Sequence, residues 1–253
     1  MIAPRTLAVL ALPGVLLVSE GAGAIDAREA VAAFVARLGN PEVRDLTIEQ
    51  SFTIYEPDGR HRQSSGEHRI FMKPPRRQRL EQTVDGQREI RITAGDRAWI
   101  RRPDGVTQEA PVSPRERASA AALMTGPRGP DELLAEWRAL GIRTDVVSEA
   151  RLRGRTVTVI GAAAGDRASP AVWLDPDVGV VRMINRESLQ GMSALVDVTF
   201  SEHRRTPEAL AFPWRQEIFV DGKLVALITV RAVAVNTDLP DALFDPDALR
   251  RGR

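Results

Sequence analysis

Apolar residues follow a helical spacing over one stretch near the start of the chain and alternate with polar residues through most of the rest. Between Asp26 and Leu38, Ala27, Ala30, Val31, Phe34, Val35 and Leu38 fall on one stripe while Arg28, Glu29 and Arg37 face away, which predicts an amphipathic helix. Asp26 can cap its start, and Gly39-Asn40-Pro41 stops it. Alternation then takes over. Across Asp45 to Tyr55, Leu46, Ile48, Phe52 and Ile54 share one face, with Gln50 the one polar exception. Pro57-Asp58-Gly59 turns the chain, and Arg60 to Met72 returns as a more polar partner.

The stretch from Ile70 to Asp104 continues the pattern in three short segments carrying Leu80 and Val84, then Ile90 and Ile92, then Ala98 and Ile100. Asp85-Gly86, Ala94-Gly95-Asp96 and Pro103-Asp104-Gly105 punctuate it at hairpin spacing, so it reads as an antiparallel meander. A further strand near Val106 is weakly signalled. The pattern changes over residues 113–141. Ala118 to Met124 is Ala-rich and helical, and Gly126 to Pro130 breaks it. Leu133, Leu134, Trp137 and Leu140 then form a second stripe ended by Gly141. Strands resume at Arg143–Ser148, Arg155–Ile160, Ala171–Leu174, Val180–Arg186, Ala194–Glu202, Trp214–Val220 and Lys223–Val235. The last of these is apolar on both faces, as a strand covered on both sides would be. Leu239, Leu243 and Phe244 are placed to pin the tail to the sheet.

Eleven or twelve strands, hairpin-connected and without alternating βαβ units, predict a mainly β (α+β) fold built on one large antiparallel sheet. A sheet of that size curls to hide its edges, so the expected form is a half-open barrel with helices covering its concave face. The chain of 253 residues suits one such domain.

Composition narrows the function. Lys and Arg number 35 against 34 Asp and Glu, a balance that speaks against a nucleic-acid partner. There is no cysteine, which excludes disulfides, a thiol nucleophile, cysteine-ligated metal and a lipid anchor on an N-terminal cysteine. Arg5, the apolar run Leu7 to Val18 and the small-residue step Ala22-Gly23-Ala24 fit a cleavable export signal over residues 1–24. The run is too short to span a bilayer, which needs about 20 residues. The expected mature protein is exported and soluble, a single domain over residues 25–253 with a helical insert at about 113–141.

Candidate chemistry is sparse. His61, His68 and His203 lack metal-ligand spacing, and no metal or cofactor is expected. Asp175-Pro176-Asp177-Val178-Gly179 opens like a calcium loop, but Val180 and Arg186 stand where that loop needs glycine and a bidentate acid. It reads as a strand-connecting turn. No nucleophile elbow, Walker loop or dinucleotide glycine pattern is present. Glu67, Glu81, Glu89, Glu202 and Glu217 read as solvated strand faces, with a carboxylate pair of an exported enzyme as the alternative. Lys73, Arg76, Arg77 and Arg79 read as charge protecting an edge strand, with an anion or membrane surface as the alternative.

Several short motifs resemble the LolA-like periplasmic lipoprotein carriers: Phe71-Met72-Lys73-Pro74-Pro75 through Arg79-Leu80-Glu81, Asp85-Gly86, Asp96-Arg97-Ala98-Trp99-Ile100, Val172-Trp173-Leu174-Asp175, and Val235-Asn236 with Leu239 to Phe244. Carriers of this type place an arginine before the proline of the basic step to help hold the lid; Lys73 or Pro74 stands there in this chain. Asp85 to Glu89 also resembles RseB-like regulators, which share the fold and bind an anti-sigma factor. The carrier resemblance implies a non-enzymatic periplasmic protein whose partners are acyl chains of a lipid or lipoprotein, an inner-membrane donor and an outer-membrane acceptor. Ile48, Phe52, Leu80, Ile90, Ile92, Leu123, Met124 and Trp137 are the expected lining of the lipid groove, and the 126–130 loop its hinge. The plain alternative for each lining residue is an ordinary core position.

Overall fold

Two-residue turns set the order of the strands. Asp85 and Gly86 both adopt positive φ (49° and 75°), the twist that lets a tight hairpin join adjacent strands. Asp221-Gly222 and Arg153-Gly154 repeat the device. The computed structural model describes residues 26–38, 42–74, 76–112, 129–189 and 191–252. The expected leader, the helix expected over 118–124 with Leu123 and Met124, and residues 126–128 of the expected hinge lie outside the described residues.

The first run of strands is β1 (Leu46–Tyr55), β2 (Arg62–Lys73), β3 (Arg77–Val84), β4 (Gln87–Ala94), β5 (Arg97–Arg101) and β6 (Thr107–Ala110). The second is β7 (Val147–Leu152), β8 (Arg155–Ile160), β9 (Ala171–Asp175), β10 (Gly179–Leu189), β11 (Met192–Arg205), β12 (Ala211–Val220) and β13 (Lys223–Val235). Each run is a meander, and the two are joined where β1 pairs with β13, giving one open, curved, antiparallel sheet of 13 strands from β6 to β7. The strand expected over Arg143–Ser148 begins four residues later, because Arg143 and Asp145 form an ion pair within a turn closed by Val146 N–H to the Arg143 carbonyl.

Helices α1 (Ala27–Leu38) and α2 (Pro130–Ala139) lie on one face of the sheet, called inner below. Val31 and Phe34 of α1 and Leu133, Leu134 and Trp137 of α2 pack with Ile160, Val172, Leu174 and Met183. Arg28 and Asp131 tie the helices together through two hydrogen bonds of 2.8 and 3.1 Å. Beyond α2, Gly141 N–H bonds to the Arg138 carbonyl and Ile142 N–H to the Trp137 carbonyl. This is the Schellman arrangement, with Gly141 at φ 80°.

The chain ends on the opposite, outer face. Buried Asp45 accepts the N–H groups of Thr237 and Leu239, fixing the exit from β13. A 3-10 turn (Asp241–Phe244) and helix α3 (Pro246–Arg250) then cross β3 to β5, where Leu249 packs on Ile90, Ile92 and Trp99. Strand β13 is central but not covered on both sides: its outward Thr229, Ala232 and Ala234 are exposed.

Candidate functional site: the inner face of the sheet

Directly opposed residues in an antiparallel sheet share a face, so the register assigns each side chain. Leu46, Ile48, Gln50, Phe52 and Ile54 of β1 point inward, with Met72, Ile70, His68 and Gly66 opposite them on β2. On the other side stand Val235, Val233, Val230, Ile228 and Ala226 of β13. Three apolar clusters occupy this face. One lies under α1 and α2 and includes Phe200 of β11. A second gathers Leu46, Ile48, Ile70, Met72, Phe212 and Val230, with Leu80 and Trp214 at its margin. A third joins Val196, Ile218 and Ala226 with the half-buried Ile54, Val198, Val220 and Ile228.

The expected lining residues separate on this map. Ile48, Phe52 and Leu80 share the inner face, since Leu80 stands opposite Ile70. Ile48 is fully buried and Leu80 half-buried. Trp137 is also on the inner side, buried between helix and sheet. Ile90 and Ile92 are not part of that surface. Leu80 pairs with Arg91, so Ile90 and Ile92 point outward and are sealed under α3. The physical reason is the two-residue turn at Asp85-Gly86, which sets Val84 opposite Gln87 and moves the apolar positions of β4 to the other face.

The basic cluster is also reassigned. β3 is not an edge strand. Lys73 and Arg77 both bind Asp241, Lys73 also donates to the Leu239 carbonyl, and buried Arg79 donates to the Leu243 carbonyl. Arg77 lies 5.8 Å from the centroid of the Phe244 ring. Three of the four cations therefore hold the chain's own tail, and the basic-proline step is a clamp for residues 239–244. As expected, Phe244 is buried there.

Sequence reasoning passed over a polar row crossing the inner face. Gln50, only 5% exposed, donates from Nε2 to His68 Nδ1 at 3.2 Å, and His68 Nε2–H donates to Gln82 Oε1 at 3.1 Å. The roles follow from the neutral tautomer protonated on Nε2. Burial pushes the His68 pKa down, against the hydrogen bond it donates to Gln82, which favours the charged ring. Phe52 stacks on His68 with centroids 4.2 Å apart. Gly66 makes room for that stack: a Cβ there would stand 2.7 Å from Phe52 Cζ and 2.3 Å from the Thr83 carbonyl oxygen. The polar exception at position 50 was the sequence signal for this row.

The outer face is a lattice of paired charges. Arg182 binds Asp197, Arg215 binds Glu217, Arg231 binds Glu67, and Glu81 accepts from both Arg79 and Arg88. The Arg231 hydrogen bond holds the Glu67 carboxyl below its ordinary pKa. Carboxylates engaged this way serve the sheet, and none of these pairs converges on a cleft of two free acids. Asp175, inside the calcium-like segment, binds Arg155 and the N–H groups of Asp177 and Val178, making it the β9–β10 turn. Among the described residues no group of three His, Cys, Asp or Glu is placed to hold a metal ion, and no helix is long and apolar enough to cross a membrane.

No family model matches the sequence, and no curated protein does. Solved structures do share the architecture. An outer membrane lipoprotein-sorting protein domain from Vibrio parahaemolyticus is 12% identical with a TM-score of 0.56, covering 89% of this chain and 100% of that one. A DUF1329 family protein from Desulfovibrio piger is 13% identical with a TM-score of 0.57, over 89% and 100%. A LolA superfamily protein from Nitrosomonas europaea is 12% identical with a TM-score of 0.53, over 87% and 98%. The chain therefore has a LolA-like fold.

Proposed function

We propose that this protein is an exported, non-catalytic carrier that holds acyl chains of a lipid or lipoprotein against the inner face of its sheet, under the helical cover. One observation carries the reading. Ile54, Val198, Val220 and Ile228 form an apolar strip on the inner face that is only half-buried, beside positions such as Ile48 that are fully buried. Covering such a strip with an alkyl chain gains about 0.8 kcal/mol per methylene, so a single acyl chain supplies enough driving force. The fold shared with a lipoprotein-sorting domain and a LolA superfamily protein supports a carrier. The apolar leader over residues 1–24 supports export to the periplasm, with a membrane donor on one side and an acceptor on the other.

The lining in this reading is Ile48, Phe52 and Leu80, joined by the half-buried strip, with Leu123, Met124 and Trp137 contributing from the helical insert. The test is native mass spectrometry of protein purified from an envelope fraction, with extraction of any bound lipid. A mass increment that disappears on extraction, and Ile228→Glu protein that lacks it while remaining folded, is the expected result. Protein that carries no lipid and shows no fatty-acyl-dependent change in tryptophan emission overturns the reading. N-terminal sequencing of the exported protein should begin at Ile25.

A further inference from the structure

An apolar surface built only to bury itself has no use for polar groups without partners, because each costs free energy when withdrawn from water. On β12 the inner face holds one such group and, two residues along, an amide that keeps some contact with water. The indole Nε1 of Trp214 is buried and has no hydrogen-bond partner among the described residues. Gln216 is 7% exposed; its side-chain amide makes no hydrogen bond with a described residue and keeps some contact with solvent. Their neighbours explain why none is at hand. Gln216 is flanked across the sheet by Phe200 on β11 and Ile228 on β13. Phe200 belongs to the cluster under the helices, Trp214 to the second cluster and Ile228 to the third. The two polar groups thus sit where the three apolar regions meet.

On this basis, and building on the carrier reading above, we propose that Trp214 and Gln216 form a subsite for the neutral carbonyl oxygen of an acyl ester or amide, with the attached chains running into the apolar clusters around it. The chemistry of the donors selects that class. An indole N–H only donates, and a Gln amide can turn its NH2 or its carbonyl oxygen to a ligand, so the group that engages both side chains at once is an acceptor. The cation beside them is already paired: Arg204 lies over the Trp214 ring at 4.4 Å from its centroid and faces the Glu202 carboxylate at 3.8 Å. An uncharged acceptor therefore fits better than a carboxylate. The row Gln50–His68–Gln82 lies two strands away from β12, on the far side of β13, and is engaged within itself; the indoles of Trp99 and Trp173, also without partners among the described residues, lie in covered clusters of the outer face, so Trp214 and Gln216 are the donors beside the half-buried strip.

The experiment uses the full mature chain and three small probes of matched length: methyl decanoate, decanoate and undecane. Binding is read from tryptophan emission and confirmed by calorimetry. The expected result is tightest binding of methyl decanoate. In Gln216→Leu its affinity falls about three- to tenfold, the range of one or two ordinary hydrogen bonds, while undecane binds unchanged or more tightly. Gln216→Asn, which keeps the donors, should retain most of the ester preference and guards against a merely disturbed fold. Equal binding of ester and alkane, or an ester preference that survives Gln216→Leu, overturns the subsite and leaves the carrier standing. Preference for decanoate overturns the neutral-acceptor assignment in favour of charge recognition by Arg204. Binding of none of the three overturns the carrier reading as well.

Discussion

Two of the sheet's apolar patches lie on opposite faces, and their fates differ. On the outer face of β4 and β5, Ile90, Ile92 and Trp99 are covered by Leu249 of the chain's own tail, and the tail is clamped by Lys73, Arg77 and Arg79. On the inner face, Ile54, Val198, Val220 and Ile228 are left half-covered, and the indole N–H of Trp214 has no partner among the described residues. A patch closed by covalently attached, charge-locked cover is core. A patch left partly open is where a separate molecule has something to gain. In the proposed carrier, the half-buried strip of the inner face would serve binding while the sealed patch of the outer face serves stability.

Mutations on the two faces should therefore move different observables. The largest expected effect is on the sealed patch: Leu249→Ala removes a fully buried side chain and should cost about 2–5 kcal/mol in chemical denaturation, with acyl-probe affinity unchanged. Equal damage to probe binding would mean the tail patch is not independent of the inner face. Next is Asp45→Asn, which weakens the charge-assisted bonds that fix the tail's exit and should cost roughly 1.5–3 kcal/mol. Burial disfavours the Asp45 carboxylate, but the N–H groups of Thr237, Leu239 and Asp238 and the Thr237 hydroxyl outweigh it and hold its pKa below the ordinary value. Its contribution is therefore present above the ordinary carboxylate range and lost as pH falls through the lowered value. The acid limb of a stability–pH curve should flatten in the Asn variant.

A smaller effect is expected at His68. Its pKa is lowered in the folded state by burial, so the unfolded chain binds the proton first. Stability should fall as pH drops below about 6.5, the ordinary histidine value, and His68→Gln should remove that slope. A slope that survives the substitution would assign it to His203, whose pKa burial also lowers. The smallest effect is at Arg28→Ala. Its pairing with Asp131 is exposed on both sides, and such pairs contribute little. The midpoint of unfolding should stay within measurement error.

Much of this arrangement was legible in the chain. The alternation of Leu46, Ile48, Phe52 and Ile54 marks the inner face, and the stripe Leu133, Leu134 and Trp137 marks the face α2 buries. The faces of Ile90 and Ile92 were legible too, because a two-residue turn at Asp85-Gly86 dictates the register outright. Apolar alternation on β4 is the weaker signal, since it says that one side is covered without saying which. The target of Lys73, Arg77 and Arg79 was not legible: charge on a strand does not specify a partner 164 or more residues away. Nor were the unpartnered donors of Trp214 and Gln216, since a missing hydrogen bond is a property of the surroundings. Gln50 was different, a polar residue at an inward position, and its oddity was the clue to the row it belongs to.

The junction of β1 with β13 has a consequence for how the protein is made. Asp45 and Leu239 touch across 194 residues of sequence, and the pairing of Leu46 with Val235 spans nearly as much. The first meander must therefore wait, with β1 as a bare edge carrying Ile48 and Phe52, until the last strand has been synthesised and delivered. Closing so long a loop is slow, and an apolar edge left waiting is a template for wrong pairing. A chain wired in this order depends on being kept from folding until it is whole, so its weak moment comes before it has a structure at all.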